Sequence, residues 1–479
     1  MFPSNKTKIV CTIGPASRSP EMLVQLIDAG MNVARLNFSH GAFEGHARDI
    51  EAIRRAAQTV GRPVAVMADM PGPKIRIGEL SQEPIQLKRG QALTLTTRTI
   101  DGTAERISVN FAKLPSVVNR EDRIYINDGF IQLRVLSVDP PEVRCEVVVG
   151  GTIRSRKGLN IPDVDLGISA FTDYDRQCLE FALQHGVDAI SQSFVENAKD
   201  IVAVRAAAHA AGGDPFIIAK IERSRAVENL PEILAQADGI MVARGDLGVE
   251  IPIAKIPAVQ KNIMDMANRA AKPIITATQM LESMTTNRLP TRAEATDVAN
   301  AILDGTDAVM LSGESAVGDY PLEAVRMLGE IAADIEPNRP HFSRSVHQRH
   351  LDDTCPVVFS EVIASSVAET LKCLRPVAIV TPTRSGATAR RISRFRLPVW
   401  IGAVSSQHKT CQDLLFSYGV LPVFEPDHPD TWHAWIRKWL DDQGESGDLV
   451  VLTEGPSAKY PHRNNRMEII DLRQKAEPQ

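Results

Sequence analysis

Lys220 and Glu222 stand two residues apart, as do Arg244 and Asp246, and Arg35, Asn37 and Ser39 repeat the same interval. In an extended strand, residues i and i+2 share a face, so each set would present its side chains in one direction. The guanidinium, amide and hydroxyl of Arg35, Asn37 and Ser39, with His40 after them, suit a phosphate or carboxylate and a small cation. Glu222 and Asp246, delivered from neighbouring strands, would hold Mg²⁺ through hard oxygen ligands and leave positions for substrate oxygens. Lys220 beside them is what a transferring phosphoryl group or an enolate requires. Hydroxyls at Thr276 and Thr278, and at Ser312 and Ser315 around Glu314, could orient phosphate oxygens or relay a proton to carbon. Each set also has a plain reading: loop-entry polars at 35–40, a rim salt bridge at 220–222, a helix cap at Asp246.

Such side chains need a scaffold that brings separate strand ends together. A short run rich in Val and Ile, a turn, and an amphipathic stretch of about three turns recur along the chain. The runs are 8–13, 32–38, 64–68, 188–194, 216–221, 239–243, 273–278 and 308–311. Near-continuous apolar runs are what parallel strands buried on both faces require. Eight of them alternating with helices favour a closed (β/α)8 TIM barrel, which leaves no edge strand exposed. An open doubly wound sheet is the competing arrangement. In a barrel the C-terminal strand ends ring one mouth, where the sets above would meet. The helices carry matching punctuation: Ser19-Pro20-Glu21 opens one that Gly30 closes, and Thr291 with Glu294 forms a capping box.

Between 71 and 167 the period becomes two, at 93–97, 123–127, 131–138 and 143–149, with turns at Asp128-Gly129, Pro140-Pro141 and Gly150-Gly151. This predicts an inserted β-barrel lid domain over 71–167, able to close over the mouth. The catalytic barrel then takes 1–70 and 168–340. A C-terminal α/β regulatory domain takes 341–479, with its boundary near Pro337-Asn338-Arg339-Pro340. Within it a helix over 357–374 precedes strand and helix segments at 377–381, 399–404, 414–418, 432–440 and 449–453.

A chain of 479 residues needs more than one core. Its 54 Lys and Arg nearly balance 59 Asp and Glu, which removes the electrostatic reason for a nucleic-acid or anionic-membrane partner. Cys11, Cys145, Cys178, Cys355, Cys373 and Cys411 form no CxxC or Cys/His grouping, so reduced thiols are expected rather than zinc or disulfides. No secretory leader is read at the start and no apolar stretch is long enough to span a bilayer, which makes a cytoplasmic location the expectation.

Six segments strongly resemble the pyruvate kinase family: TIGPAS (12–17), ARLNFSHG (34–41), IAKIE (218–222), MVARGDLGVE (241–250), TATQMLESM (276–284) and MLSGESAVGDYP (310–321). The likeness covers 7–330 outside the insertion and fades, but persists, in the C-terminal domain. It implies transfer of phosphate from phosphoenolpyruvate to ADP with Mg²⁺ or Mn²⁺, the last step of glycolysis. By the same resemblance Lys220 would stabilise the transferring phosphoryl group and enolate, Glu222 and Asp246 would hold Mg²⁺, and Arg35 would hold the substrate phosphate. Thr278 and the backbone at Gly245 and Asp246 would seat the substrate carboxylate. Asn37, His40, Arg76 and Lys157 would serve the nucleotide. Ser312 and Glu314 would complete a proton network with Thr278. A homotetramer is implied as well.

One departure concerns a monovalent cation. Asn37, Ser39, Asp69 and the Met70 backbone match the family's K⁺ ligands, yet Lys74 stands where K⁺-dependent members resemble one another in having Glu. A lysine brings its own positive charge to the phosphates, so K⁺ is expected to be dispensable. Thr383, Arg384, Ser385, Gly386 and Thr388 follow a strand, open a helix and resemble the family's regulatory phosphate loop, which implies a sugar-phosphate or AMP effector. The segment Lys459-Tyr460-Pro461-His462-Arg463-Asn464-Asn465 departs from the family's Gly/Ser/Thr-rich effector loop and leaves the effector's identity open. Two rivals stand beside this reading: a Mg²⁺ enolate lyase or aldolase with no need of nucleotide, and a barrel kept as a metabolite sensor.

Overall fold

The computed structural model describes residues 1–339, 358–427, 429, 431–456, 462 and 464–474. Eight parallel strands form a closed barrel: β1 (Lys8–Thr12), β2 (Met31–Asn37), β3 (Ala65–Met70), β4 (Ala189–Gln192), β5 (Phe216–Ile221), β6 (Gly239–Ala243), β7 (Ile274–Ala277) and β8 (Ala308–Leu311). Each pairs with its sequence neighbours, and β1 closes on β8 with Lys8 opposite Ala308. This settles barrel against open sheet. Val, Ile and Ala fill these strands because both faces are buried: one face packs under the outer helices, the other fills the barrel with Val10, Val33, Met67, Ile218, Met241 and Met310. The expected helix caps are present. Ser19 accepts the Met22 amide at 3.2 Å, and Thr291 and Glu294 make the reciprocal box.

The insertion leaves β3 and returns before the helix Asp173–Gln184, around a core of its own. Its hydrogen bonds draw a six-stranded sheet ending at Leu159–Asn160 and Arg106–Ser108, plus a two-stranded ribbon. The stretch 75–78 lies between these two outer edges and bonds both: the Leu159 amide donates to the Ile75 carbonyl at 2.9 Å and the Gly78 amide to the Ser108 carbonyl at 2.8 Å.

The C-terminal part is a five-stranded sheet: β9 (Ala378–Pro382), β10 (Trp400–Ser405), β11 (Val420–Phe424), β12 (Leu449–Glu454) and an antiparallel β13 (Arg466–Asp471). Residues 414–418 yield only a short 3-10 turn, Leu414–Phe416. That turn plugs the lower end of the barrel, where Leu415 and Phe416 join the barrel interior and Phe416 stacks on Phe216 with centroids 5.2 Å apart. Beside it Lys8 Nζ donates to the Val420 carbonyl at 2.7 Å. The expected boundary at Pro340, the start of the helix at 357, Cys355 and most of the 459–465 segment lie outside the described residues.

Candidate active site at the barrel mouth

β5 delivers Lys220 and Glu222 to the mouth, and they meet with Nζ 3.3 Å from Glu222 Oε2. Lys220 also donates to Ser193 Oγ at 2.7 Å and lies 3.4 Å from Asp69 Oδ1. Asp69 is the hub beneath. It takes the Arg35 Nε at 2.9 Å and the Ser191 hydroxyl at 2.7 Å, while Arg35 also reaches Thr12 Oγ1 at 2.8 Å. Burial would raise the Asp69 pKa, but Lys220 and Arg35 outweigh it and hold the carboxyl down at about 2. Burial would likewise strip the Lys220 proton, yet Asp69, Glu222 and Asp246 reverse this and hold the ammonium charged beyond its ordinary range. For Glu222 burial wins: its pKa is raised against the pull of Lys220, and the nearby Asp246 charge adds to the rise.

Lys220 and Glu222 therefore come together, near enough to Asp246 for its charge to act on both. Glu222 Oε1 accepts the Phe194 amide at 2.7 Å, while Oε2 is buried with no hydrogen bond of its own. An acidic oxygen buried in that state, with exposed Asp246 across from it, is a donor set that fits a hard divalent cation. Among the described residues no three His, Cys, Asp or Glu are gathered for a metal.

Gly245 is the second residue of the short helix Arg244–Glu250, and its amide donates to Thr278 Oγ1 at 2.8 Å. Thr278 has φ +67°, a conformation that strains a β-branched residue by roughly 1–3 kcal/mol. Arg244 holds it there: its guanidinium reaches the Thr278 carbonyl at 2.7 Å and Asp297 at 2.6 Å. Thr276, two residues back, is buried against Thr306 and takes no part.

Arg76 sits opposite Gly158 at the root of the insertion, and the Ile77 amide bonds the Lys157 carbonyl at 3.0 Å, so Arg76 and Lys157 adjoin. Burial, then the charges of Lys74, Arg76 and Arg35, lower the His40 pKa, which places His40 on the same basic rim. Asn37 accepts the Ser39 amide at 3.1 Å. Lys74 Nζ donates to Ser39 Oγ at 3.0 Å, and the Met70 carbonyl is taken by Ser193 Oγ at 2.7 Å.

Two further expectations fall on residues that already make local bonds. Glu314 accepts the Leu281 amide at 3.1 Å and the Ser312 amide at 2.8 Å, so both its oxygens staple the exits of β7 and β8 and neither bonds Thr278. In the 383–388 loop, Thr383 Oγ1 takes the Gly386 amide at 3.0 Å, and the helix that follows, Ala387–Ser393, is only seven residues long. Nothing in that arrangement adds to the expectation of an effector. Conversely, Ser191, Ser193 and Thr12 stand in this cluster without having been singled out, and Asp69, expected only as a cation ligand, is its hub.

Residues 4–325 match the family profile described as pyruvate kinase, barrel domain, and residues 361–470 the one described as pyruvate kinase, alpha/beta domain. A pyruvate kinase of Thermococcus litoralis is 48% identical over 474 residues, 98% of this chain and 99% of that one. One from Thermotoga maritima is 42% identical over 463 residues, covering 96% and 98%. The crystal structure of a pyruvate kinase from Cryptosporidium parvum superposes with a TM-score of 0.91 at 38% identity, covering 98% of this chain and 96% of its own.

Proposed function

The chain belongs to the pyruvate kinase family and transfers phosphate from phosphoenolpyruvate to ADP, and from that premise we propose that Lys220, Glu222 and Asp246 form the centre where the transfer occurs. What supports this is the single cluster in which Lys220 Nζ stands 3.3 Å from Glu222 and 3.4 Å from Asp69 at the barrel mouth. Bound Mg²⁺, held by Glu222 and Asp246, would draw charge from the phosphoryl oxygens. Lys220, kept cationic, meets the negative charge that builds on the transferring group and the enolate oxygen. Arg35 receives the substrate phosphate, and Asp69 and Thr12 aim its guanidinium. Thr278 with the Gly245–Asp246 backbone seats the carboxylate. Arg76, Lys157, Asn37 and His40 take the nucleotide, and Ser312 stands at the edge as a proton relay. The chemistry is positioning and charge stabilisation, as phosphoryl transfer demands.

Lys74 stands in for K⁺ in this reading. Its ammonium occupies Ser39, while Asp69 and the Met70 carbonyl are engaged by Arg35, Lys220 and Ser193. A homotetramer completes the reading, with exposed Val358, Phe359 and Val362 supplying an apolar face for a second copy. A four-chain mass by light scattering, reduced by Phe359→Glu, is the expected result. No helix among the described residues is long and apolar enough to cross a membrane.

The deciding experiment is a coupled pyruvate assay with ADP and Mg²⁺ each omitted in turn. Product in the absence of ADP would point to the lyase rival instead.

A further inference from the structure

Glu222 and Asp246 arrive on different strands, and the backbone ladder between those strands ends at the pair Ile221–Val242. Both carboxylates lie past that point, so side chains must keep the two exits in register. The first link across is Arg223, the residue after Glu222. Its side chain is 5% exposed, and its Nε stands 3.4 Å from Glu250 Oε2, whose side chain is 1% exposed. Glu250 is the last residue of the Arg244–Glu250 helix that carries Asp246. The same guanidinium reaches Glu196, beyond β4, at 3.3 Å.

The row continues outward. Glu196 meets Arg225 at 3.4 Å, and Arg225 meets Asp165 at 2.9 Å, on the returning chain of the insertion. Ser224 Oγ donates to Asp163 Oδ1 at 3.2 Å on that same chain. A cavity of about 130 Å³, lined by Asp165, Leu166, Gly167, Glu196, Arg223 and Arg225, lies alongside and leaves this segment room to shift. On the other flank Gly129, at an insertion turn, faces Val249 of the Asp246 helix.

Resting on the reading that Glu222 and Asp246 hold the divalent cation, we propose that Arg223, bridging Glu250 and Glu196, is a positioning residue that keeps those two carboxylates at ligating separation. Arg225 and Asp165 extend the row and carry the position of the insertion to the metal. A planar guanidinium can span two carboxylates at fixed angles, which a lysine cannot. Partners of this kind behind metal ligands are worth about 10- to 100-fold in metal affinity or activity.

The test is direct Mn²⁺ binding by the full chain, read from the electron paramagnetic resonance of the free ion. Glu222→Gln comes first: if it binds Mn²⁺ as well as wild type does, the metal-site reading itself falls. If it binds weakly, folded Glu250→Gln and Arg223→Lys should each bind Mn²⁺ about tenfold more weakly than wild type, or worse. A merely structural ion pair would lower Tm and leave the Mn²⁺ affinity of the folded protein alone, and that result in either variant would overturn the proposal. Should Glu250→Gln fail to fold, Arg223→Lys decides. Arg225→Met cuts the more exposed end and should weaken Mn²⁺ about two- to fivefold. Unchanged affinity there would overturn the link to the insertion.

Discussion

At Lys220 burial works against the ammonium while Asp69, Glu222 and Asp246 work for it, and the carboxylates prevail. A cation held this firmly is poor at exchanging protons and good at meeting developing negative charge. Lys220→Met should therefore lower turnover by at least roughly 10²–10³, by analogy with the loss of one transition-state donor. Near wild-type turnover in the coupled assay would remove Lys220 from its role. Lys74 carries a second prediction. Replacing KCl by a tetraalkylammonium salt at equal ionic strength should leave turnover largely unchanged, whereas Lys74→Glu should create a K⁺ requirement. A large loss in the unmodified enzyme would defeat the charge-replacement argument. Strand alternation was enough to single out Lys220 and Glu222 in the sequence, but the same rule failed for Arg244 and Asp246, which stand in the helix Arg244–Glu250, where residues two apart do not share a face. Ser191 and Ser193 obey the same alternation at the end of β4, but in a run read only as apolar. The weight of Asp69 was illegible for another reason: its partners Arg35, Ser191 and Lys220 come from three other strands, and no local pattern announces them.

Among the elements, β7 and β8 leave the barrel as irregular turns whose amides have no ladder to join. Glu314 fills that role with its two oxygens, from a fully buried position. Glu314→Gln would turn an amide group toward one of the two backbone N–H donors and leave that donor unsatisfied. The expected loss is about 2 kcal/mol of stability, seen as a lower urea midpoint with an unchanged slope. An unchanged midpoint would mean that the staple is ornamental. Six of the eight barrel strands end within one residue of their apolar runs at both ends, because parallel strands buried on both faces write themselves as continuous hydrophobicity. β11 and β13 were not read as strands for the converse reason. β11 is a half-exposed edge containing Pro422, and β13 is mixed in polarity along Arg466–Asp471.

For the whole molecule, the joint below the barrel sets a pH dependence. Burial lowers the Lys8 pKa to about 8 from an ordinary 10.5, against the opposing charges of Glu336 and Asp307. Between those values the unfolded chain binds the proton and the folded chain does not, so stability from this group rises with pH through that window. Below about pH 8 its full cost applies, about 3 kcal/mol for the shift. Lys8→Met should flatten the rise in unfolding free energy from pH 8 to 10.5, and an equal rise in both proteins would show that Lys8 is not its source. Closure of the barrel and the presence of an inserted β segment could be read from strand count and a change of period. The plug of Leu415 and Phe416 could not, since it unites residues some two hundred positions from β5.

The insertion interrupts the barrel between β3 and β4, yet Ala189 still pairs with Met67 as neighbouring strands should. The entropy lost in tying two points of a chain together grows only with the logarithm of the tether. A tether near a hundred residues long therefore costs about 2 kcal/mol more to close than one of ten. Because this tether condenses around a nucleus of its own, its effective length shrinks to the two short crossings at its ends. Ancestral barrels could on these terms accept such a guest, or exchange it for another, almost without thermodynamic consequence.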